Sequence, residues 1–498
     1  MPRKAWFVLG LIGVVVAFYL GTIRSGHDWT GDFALYILHA RNLVEGRAYA
    51  DTGYIYNPNF TFLSPPTYPP GFPMMLAPIY ALCGLNLFAM KTVCVVFFGL
   101  ALLAIFVALR HHLPFGGRMA LLALLGFNPY FWQFKNNVLA DLPFLFLSYA
   151  GLGMIDNFTS DRANRSRGAS CLCGVATGLV LFLACATRSV GLVFLGCLVV
   201  FYALRSRRFD LFVAAAIGTM SLGVIIENVT VHDDSRYFDQ LGVYLTESYS
   251  ALSQIAIVIR HWIHGLALLG DNGRAGSLAW VLAILGCTLA GAGFVARIRN
   301  RGWTIFEVFT LLYPATIVFW PMAQSFRFLI PVVPLYIGYA LLGSQWLGTM
   351  IRSQRVRVGM GLFLLIVVFG SYVSRYTTLE FSHMREGILN TDSRQLFRYV
   401  REQTEPEDVL IFAKPRILAL MTQRYSACYS VVSDDIYLER FLASINATHL
   451  ITTRWLKSDR IWLQGFLERH ADQLELVFEN YTHHVYRMRS GASWWAGG

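Results

Sequence analysis

The chain has 498 residues, of which 55% are hydrophobic and 14% are charged. Soluble globular proteins carry about 25% charged residues, so this composition excludes a soluble enzyme, and 8 cysteines are too few for a disulfide scaffold. The formal net charge is +11, but the arginines occur in short clusters between apolar runs, which is typical of membrane topology and not of a nucleic-acid-binding stripe. The sequence predicts a polytopic membrane protein without a nucleic-acid partner.

Eleven apolar segments predict transmembrane helices, because a helix needs about 20 mostly apolar residues to cross a bilayer. The first apolar run is too long for a cleavable signal peptide, and no small-residue cleavage site follows it. The predicted spans lie near residues 5–23, 86–109, 118–135, 138–156, 169–187, 190–204, 209–227, 278–296, 303–320, 328–347 and 358–375.

Basic residues fall in alternate loops between these spans, and every loop of that set is basic. The positive-inside rule assigns these loops to the cytoplasm, which places the N-terminus inside and, with an odd number of spans, the C-terminus outside. The set comprises Arg3 with Lys4, Arg110 with Arg118, Arg162, Arg165, Arg167, Arg205, Arg207, Arg208, Arg297, Arg299, Arg301, Arg352, Arg355 and Arg357. We therefore expect a transmembrane domain over residues 1–375 and an extracytoplasmic domain over residues 376–498.

The segment after residue 375 alternates helical and strand patterns. Residues 391–393 can cap a helix that runs through Arg401, and Asp434 or Asp435 can cap a second helix. Apolar runs typical of buried strands occur at residues 409–413, 449–452, 474–478 and 483–486. This pattern predicts a small α/β domain. It contains no catalytic constellation that we recognise, which favours a lid or an acceptor-docking module.

The first outer loop contains a predicted amphipathic helix that begins near Asp32. Apolar residues recur at helical spacing from Phe33 to Val44, polar residues fill the opposite face, and Gly46 can end the helix. Such a helix is typical of the membrane interface. Asp32 is either an N-cap of this helix or a carboxylate at the water–lipid boundary that serves as a general base. The loop alone favours the cap.

A proline-rich segment follows at residues 64–73. Its prolines fix a stiff, extended backbone. The segment is either a structural connection to the next helix or one wall of a substrate groove. In the second case Tyr36, Tyr68, Pro69 and Pro70 would line the groove.

A second acidic residue, Asp141, lies between the third and fourth predicted spans, on the predicted side of Asp32. It too can be read as a helix cap. Three cations are predicted at a similar depth, Lys135, Arg188 and Arg327. Carboxylates can deprotonate an acceptor or hold a cation, whereas cations suit an anionic group such as a phosphate. We expect the two acids to meet in a cleft that opens to the outer face.

In their order along the chain, four motifs resemble those of GT-C glycosyltransferases, in particular the bacterial branch related to protein O-mannosyltransferases and lipid A aminoarabinose transferases. The motifs run from Gly31 to Gly46, from Tyr68 to Gly71, from Asn128 to Pro143 and from Arg327 to Pro334. An outer α/β domain containing residues 415–424 also fits the resemblance. It implies a GT-C-like fold of transmembrane and interfacial helices.

The resemblance implies a polyprenyl-phosphate sugar as donor and a glycan, lipid or protein as acceptor, with the site on the periplasmic face of a bacterial inner membrane. By position, Asp32 resembles the catalytic carboxylate, Asp141 the second acidic residue near the active site, and Arg327 the basic residue that meets the donor phosphate. Arg188 and Lys135 are further candidates for contact with that phosphate. A single displacement with Asp32 as base would invert the anomeric carbon.

Some features leave alternatives open. Many protein mannosyltransferases have an adjacent acidic pair where this chain has Asp32 alone, which argues against a protein acceptor. A divalent metal is left open as a cofactor, and His261 and His264 are three residues apart, although this spacing is more typical of an interfacial surface than of a ligand pair. The main alternative function is a polytopic transporter or lipid flippase, which would place its ionisable groups near the bilayer midplane. A non-catalytic assembly factor with the same fold is another.

Overall fold

The computed structural model describes residues 3–58, 60, 66–160, 166–205, 210–231, 255–256, 258–260, 262, 265, 277–318, 326–382, 384, 387–429 and 435–489. Most of these residues are helical. The strands form one mixed sheet.

The α-helices that the described residues outline from end to end are α1 (Arg3–Leu20), α2 (Asp32–Glu45), α3 (Gly71–Cys83), α4 (Leu87–Ala108), α5 (Phe115–Gly126), α6 (Pro129–Phe134), α7 (Asp141–Ser160), α8 (Arg167–Thr187), α9 (Val193–Arg205), α10 (Leu211–Val231), α11 (Ser277–Arg301), α12 (Ile305–Val318), α13 (Val333–Thr349), α14 (Gln354–Tyr376), α15 (Thr391–Gln403), α16 (Pro415–Thr422), α17 (Asp435–Ser444) and α18 (Gln464–Arg469). Short 3₁₀ helices cover Leu109–His111, Ser189–Leu192 and Phe326–Leu329, and a π-helical turn covers Asp459–Leu463. The strands are β1 (Tyr54–Ile55), β2 (Val409–Ile411), β3 (Tyr425–Ala427), β4 (Ala447–Thr453), β5 (Leu474–Glu479) and β6 (His483–Met488).

Among the described residues, six helices are long and apolar enough to cross a membrane. They are α1, α4 extended to His111, α8, α10, α11 from Trp280 onward, and α14. Shorter apolar helices include α3, α5, α12 and the stretch from Ser189 through α9. Each of the eleven predicted spans overlaps at least one helix, so the prediction of a polytopic helical membrane domain is confirmed.

Proline explains why several predicted spans are short or divided. The span predicted at 118–135 consists of α5 and α6, because Pro129 has no amide hydrogen to continue the first helix. Pro129 instead begins α6, where Asn128 caps the helix by accepting a hydrogen bond from the Tyr130 amide.

The described residues fall into two compact units, and each unit is described by itself. The first lies within residues 1–23, 91–230 and 243–381, and the second within residues 24–90, 231–242 and 382–498. The domain boundary predicted between residues 375 and 376 falls in the last turn of α14. That boundary stays a prediction.

The second unit contains the sheet, whose strand order is β1-β3-β2-β4-β6-β5. The first four strands in this order are parallel, and β6 is antiparallel to β4 and β5. The core beside the sheet includes Ile411, Leu442, Leu450 and Phe466, all buried. The predicted small α/β domain is therefore confirmed. Its four predicted strands correspond to β2, β4, β5 and β6, whereas β1 and β3 were not predicted.

The caps of the terminal-domain helices differ slightly from the predicted ones. Asn390, one residue before the predicted cap, accepts a hydrogen bond from the Ser393 amide at the start of α15. Asp435 is the first residue of α17, and Asp434 lies outside the described residues. Such one-residue shifts do not alter the predicted order of elements.

The helix α2 ends at Gly46 as predicted, with a left-handed backbone, but most of its polar face is buried and only Glu45 at its end is exposed. His39 and Asn42 are buried, whereas Leu43 and Val44 are exposed. The two polar side chains are buried because they hydrogen-bond to backbone carbonyls of the following loop, which replaces their contacts with water.

Candidate active site

Asp32 is the first residue of α2 in the second unit. The residue before it, Gly31, occupies the N-cap position, and no side chain caps this helix end. The structure therefore assigns the Asp32 carboxylate to contacts other than the predicted cap. Its side chain is 30% exposed, so it remains accessible to a substrate.

The contacts of the Asp32 carboxylate come from two distant parts of the chain. The hydroxyl of Tyr68 donates a hydrogen bond of 2.9 Å to Asp32 Oδ1. Arg416, in the first turn of α16, donates from Nη1 to the same hydroxyl at 2.9 Å and lies 3.5 Å from Asp32 Oδ1. Burial acts to lower the pKa of Arg416, but Tyr68, Tyr54 and Asp32 outweigh burial and raise it above its usual value. This arginine is thus a fixed positive charge beside the acid.

Tyr68 is itself fixed at its backbone. Its amide donates to Nε2 of His39 at 3.2 Å, and its carbonyl accepts from the hydroxyl of Tyr49 at 2.8 Å. Because Nε2 of His39 accepts this hydrogen bond, Nδ1 carries the ring hydrogen and donates to the Tyr49 carbonyl at 2.9 Å. Burial lowers the pKa of His39 to about 3, so this ring is neutral at physiological pH. The tyrosine hydroxyl beside Asp32 is therefore held in one place.

The predicted groove residues surround this arrangement. The rings of Tyr36 and Tyr68 are 4.8 Å apart, and Tyr36 also packs against Phe72 at 5.0 Å. Tyr36, Tyr68 and Pro70 are buried and Pro69 is partly exposed. These residues form a rigid layer behind the carboxylate, and their contact with substrate stays a prediction.

The loop that leads to Asp32 is anchored by Trp29 on the carboxyl ends of β2 and β4. In parallel α/β sheets this edge is where ligands and functional loops collect. The ring of Trp29 lies 5.7–6.1 Å from four aromatic side chains, those of Phe397, Phe412, Trp455 and His483. Residues after position 390 therefore contact the Asp32 region twice: four aromatic side chains pack on Trp29, and Arg416 contacts Asp32 itself.

A second charged cluster lies in the first unit. Asp141, the first residue of α7, is 1% exposed and forms ion pairs with both Arg188 and Arg327. The Nε atom of Arg327 lies 2.9 Å from Asp141 Oδ2. The side chains of Arg188 and Arg327 are 10% and 20% exposed. Two guanidinium groups thus converge on one carboxylate, and guanidinium groups suit an anion such as a phosphate.

The backbone at this cluster explains how the arginines reach Asp141. Arg188 has an extended backbone at the end of α8, and a 3₁₀ helix follows at once. Gly191 permits this close turn, because a Cβ at that position would lie 2.7 Å from the Cα of Cys185. Arg327 lies in another 3₁₀ helix, and the Tyr149 hydroxyl of α7 donates to the Pro331 carbonyl at 3.0 Å.

Lys135 is fully buried in the first unit, after α6. Its ammonium lies 3.7 Å from the ring centroid of Trp132 and 3.4 Å from Oδ1 of Asn136. Contact of Lys135 with a phosphate stays a prediction, as does the predicted convergence of Asp32 and Asp141.

A comparison with protein-family models and with curated proteins finds no match, whereas solved structures do match. The oligosaccharyltransferase of Archaeoglobus fulgidus has a TM-score of 0.60 and 10% identity, over 97% of this chain and 74% of that one. ArnT from Cupriavidus metallidurans, bound to undecaprenyl phosphate, has a TM-score of 0.60 and 12% identity, over 98% and 99% of the two chains. The arabinofuranosyltransferase AftD from Mycobacteria has a TM-score of 0.52 and 10% identity, over 97% and 42%.

The chain has the GT-C fold. The predicted resemblance to that fold is confirmed, and ArnT is among the solved structures that share it. At 10–12% identity the likeness concerns the fold, and function has to be argued from the side chains.

Sequence reasoning missed Arg416. It lies at the start of the helix that follows β2, and the first turn after a buried parallel strand is a common place for functional side chains. The strand β2 is predictable from its apolar run, and residues 415–424 belong to the resemblance, but the partner of the arginine depends on the course of the chain.

Proposed function

We propose that the protein is an integral membrane glycosyltransferase that moves a sugar from a polyprenyl-phosphate donor to a hydroxyl group of an extracytoplasmic acceptor. The observation that carries the proposal is the Asp32 carboxylate, which is held by Tyr68 and Arg416 and yet is 30% exposed. The solved structures that share the fold are transferases, which supports this function over a transporter or a flippase.

In this reaction Asp32 serves as the general base. The acceptor oxygen attacks C1 of the sugar, and its proton passes to the Asp32 carboxylate. The bond between C1 and the phosphate oxygen breaks, and its electron pair leaves with the polyprenyl phosphate. A single displacement of this kind inverts the configuration at C1.

The arginines of the second cluster bind the donor phosphate. Arg188 and Arg327 can donate charge-assisted hydrogen bonds to phosphate oxygens, and their charge stabilises the phosphate as it leaves. Asp141 is already shared between both guanidinium groups, so its contacts support a role in orienting them. In this proposal Asp141 contributes to catalysis through the arginines.

The residues around Asp32 do not fit a divalent metal. One Archaeoglobus fulgidus oligosaccharyltransferase structure with this fold, 12% identical to the chain, is a complex with Zn and sulfate. Here the buried guanidinium of Arg416 lies beside the carboxylate and repels a second cation. The part of the chain that the structure describes has no cluster of three His, Cys, Asp or Glu residues that could hold a metal, and His261 and His264 lie outside it. The proposed mechanism involves no metal step.

We also propose that the protein lies in a bacterial inner membrane with its N-terminus in the cytoplasm and the terminal α/β domain in the periplasm. The basic loops between the spans support this orientation. Cys83 is an exposed cysteine at the end of α3. A membrane-impermeant maleimide should label it in spheroplasts, and a Cys83→Ser variant is the control. Labelling of Cys83 that requires lysed membranes would contradict the orientation.

The function can be tested with the purified chain in nanodiscs and a set of undecaprenyl-phosphate-linked pentoses and hexoses. Membrane lipids and cell-envelope glycans serve as acceptors, and mass spectrometry measures released undecaprenyl phosphate and glycosylated product. We expect transfer from at least one donor, and we expect Asp32→Asn to reduce it by about 100-fold or more, because loss of a general base typically costs that much.

The matched control for this experiment is Asp28→Asn. Asp28 lies in the same loop, but its Oδ1 accepts hydrogen bonds from the Thr30 amide and contacts His27. We expect Asp28→Asn to retain turnover within a few-fold. A folded Asp32→Asn variant with wild-type turnover would exclude Asp32 as the base, and a wild-type protein that transfers no sugar would refute the proposed function.

A further inference from the structure

Arg416 lies in a position that is unfavourable for a buried arginine. It is the second residue of α16, and the macrodipole of a helix opposes positive charge in the first turn. Its side chain is only 3% exposed, so the guanidinium also loses most of its hydration. Groups near the arginine have to compensate both costs.

The compensating groups are the carboxylate and the phenols of the first loop. Arg416 Nη1 contacts the Tyr68 hydroxyl at 2.9 Å and Asp32 Oδ1 at 3.5 Å. Its Cζ lies 4.9 Å from the ring centroid of Tyr54 and 5.4 Å from that of Tyr68. The charge of Arg416 is thus directed at Asp32 and at the hydroxyl that donates to Asp32.

A second arginine close to α16, Arg424, forms only structural contacts among the residues that the structure describes, and it serves as a comparison for Arg416. Arg424, two residues after the end of α16, donates from Nη2 to the carbonyls of Arg401 and Thr404 at 3.0 and 2.7 Å, and from Nε to the Thr404 hydroxyl at 3.1 Å. These contacts fasten α16 to α15. Arg416 contacts side chains of the first loop, so it differs from Arg424 in its partners.

We propose that Arg416 is a positioning residue for the Asp32 carboxylate, acting directly and through Tyr68, so that the terminal α/β domain completes the site of proton transfer. The inference rests on the proposed function of Asp32 as general base. It assigns to the terminal domain a part in the chemical step, whereas the sequence predicted a lid or a docking module. Arg416 touches neither donor nor acceptor in this account.

If Arg416 orients the Asp32 carboxylate, its substitution should slow the chemical step. A carboxylate that must accept a proton as the acceptor oxygen attacks has to be oriented before the reaction, and small displacements of such a group cost much of the rate. Lysine in place of Arg416 keeps the charge, but its ammonium lacks the planar guanidinium that reaches the phenol and the carboxylate through Nη1 and lies over the Tyr54 ring. Substitution should therefore lower kcat and leave the KM for the donor unchanged.

The test uses the full chain in nanodiscs and the donor for which Asp32-dependent transfer is measured. Arg416→Lys should lower kcat by about 10- to 100-fold, with a donor KM within twofold of the wild type. Tyr68→Phe removes one hydroxyl and no charge, and it should lower kcat by about tenfold. The double variant should be no slower than Arg416→Lys, because both residues act on the same carboxylate.

Arg424→Lys is the matched control. We expect it to lower the melting temperature and to keep kcat within twofold, because Arg424 contacts α15 and not Asp32. If Arg416→Lys does not fold, Tyr68→Phe decides the question, since it leaves every charge in place.

Several outcomes would overturn the inference. A folded Arg416→Lys or Tyr68→Phe variant with wild-type kcat would do so, as would a loss in Arg416→Lys that appears only in the donor KM. Losses that multiply in the double variant would show that the two residues act separately. These results leave the proposed function intact, whereas a wild-type protein without Asp32-dependent transfer removes the proposed function and this inference together.

Discussion

The Nε atom of Arg327 lies 2.9 Å from Oδ2 of Asp141, so an arginine predicted to bind a phosphate is itself held by a carboxylate. Arg188 pairs with the same carboxylate. The acid fixes the two guanidinium groups against each other. Substitution of Asp141 should therefore affect stability as well as donor binding, whereas substitution of Arg327 should affect mainly donor binding.

Asp141→Asn should destabilise the protein and weaken use of the donor. The substitution keeps the shape of the side chain but removes the carboxylate charge that pairs with two largely buried guanidinium groups. Removal of one partner from a buried ion pair typically costs about 3–5 kcal/mol. Thermal unfolding in detergent measures the first effect, and the KM for the lipid-phosphate donor measures the second.

The control for Asp141→Asn is the same change in a surface ion pair, Asp435 with Arg469, whose side chains are 25% and 58% exposed. Surface pairs contribute about 0–1 kcal/mol, so Asp435→Asn should barely shift the melting temperature. Equal shifts for the two variants would contradict the assignment of Asp141 to a buried, stabilising cluster.

Arg327→Ala should weaken binding of the donor more than it weakens folding. Arg327 is more exposed than Arg188, and it is the more accessible of the two to a phosphate. Loss of one charge-assisted contact to the phosphate predicts a rise of about tenfold or more in the donor KM. Arg375→Ala, a change at a partly exposed arginine in the last turn of α14, is the control, and unchanged donor kinetics in Arg327→Ala would refute the phosphate role.

Much of the fold follows from the sequence because membrane helices and buried strands have strong local patterns. The apolar runs predicted the helices, and the runs near residues 409, 449, 474 and 483 predicted β2, β4, β5 and β6. The strands β1 and β3 have two and three residues, which is too short to show the alternation of apolar and polar residues that predicts a strand. They form because Tyr54 and Ile55 pair with Ser426 and Ala427, a contact between segments far apart in the chain.

The candidate site was predicted only in part, for the same reason. Asp32, Tyr68, Asp141, Arg188 and Arg327 were selected from motifs and from their depth in the membrane. The pairing of Asp141 with both arginines, and of Asp32 with Tyr68 and Arg416, depends on long-range packing that no local pattern encodes. The burial of His39 likewise depends on a loop carbonyl that replaces water.

The free energy of unfolding should decrease as the pH is lowered from about 6.5 to about 3. Burial lowers the pKa of His39 from 6.5 to about 3 and that of His483 to about 4. The unfolded state therefore binds more protons than the folded state in this range, so acidification favours unfolding, and stability is fully present above pH 6.5. Each histidine contributes at most about 1.4 kcal/mol per pH unit.

Melting temperatures measured from pH 8 to pH 5 test this dependence. His39→Gln retains a donor and an acceptor for the Tyr49 carbonyl and the Tyr68 amide but does not titrate, so its melting temperature should fall less steeply on acidification. A steeper or equal slope in His39→Gln would contradict the assignment.

The turn at Gly53 should be more sensitive to substitution than the turn at Gly46, although both residues have a left-handed backbone, with φ of +74° and +66°. A left-handed conformation costs a residue with a Cβ roughly 1–2 kcal/mol, and at Gly46 no atom lies within 4 Å of the added Cβ. At Gly53 the Cβ would also meet the carbonyl oxygen of Arg424 at 3.3 Å, while the Gly53 carbonyl accepts from the Ser426 amide at 2.8 Å. Gly53→Ala should therefore lower the melting temperature more than Gly46→Ala.

Gly53→Ala should also lower kcat, because the turn joins the first loop to β3 beside the helix that carries Arg416. A smaller effect at Gly53 than at Gly46 would show that this join does not hold the Asp32 environment together.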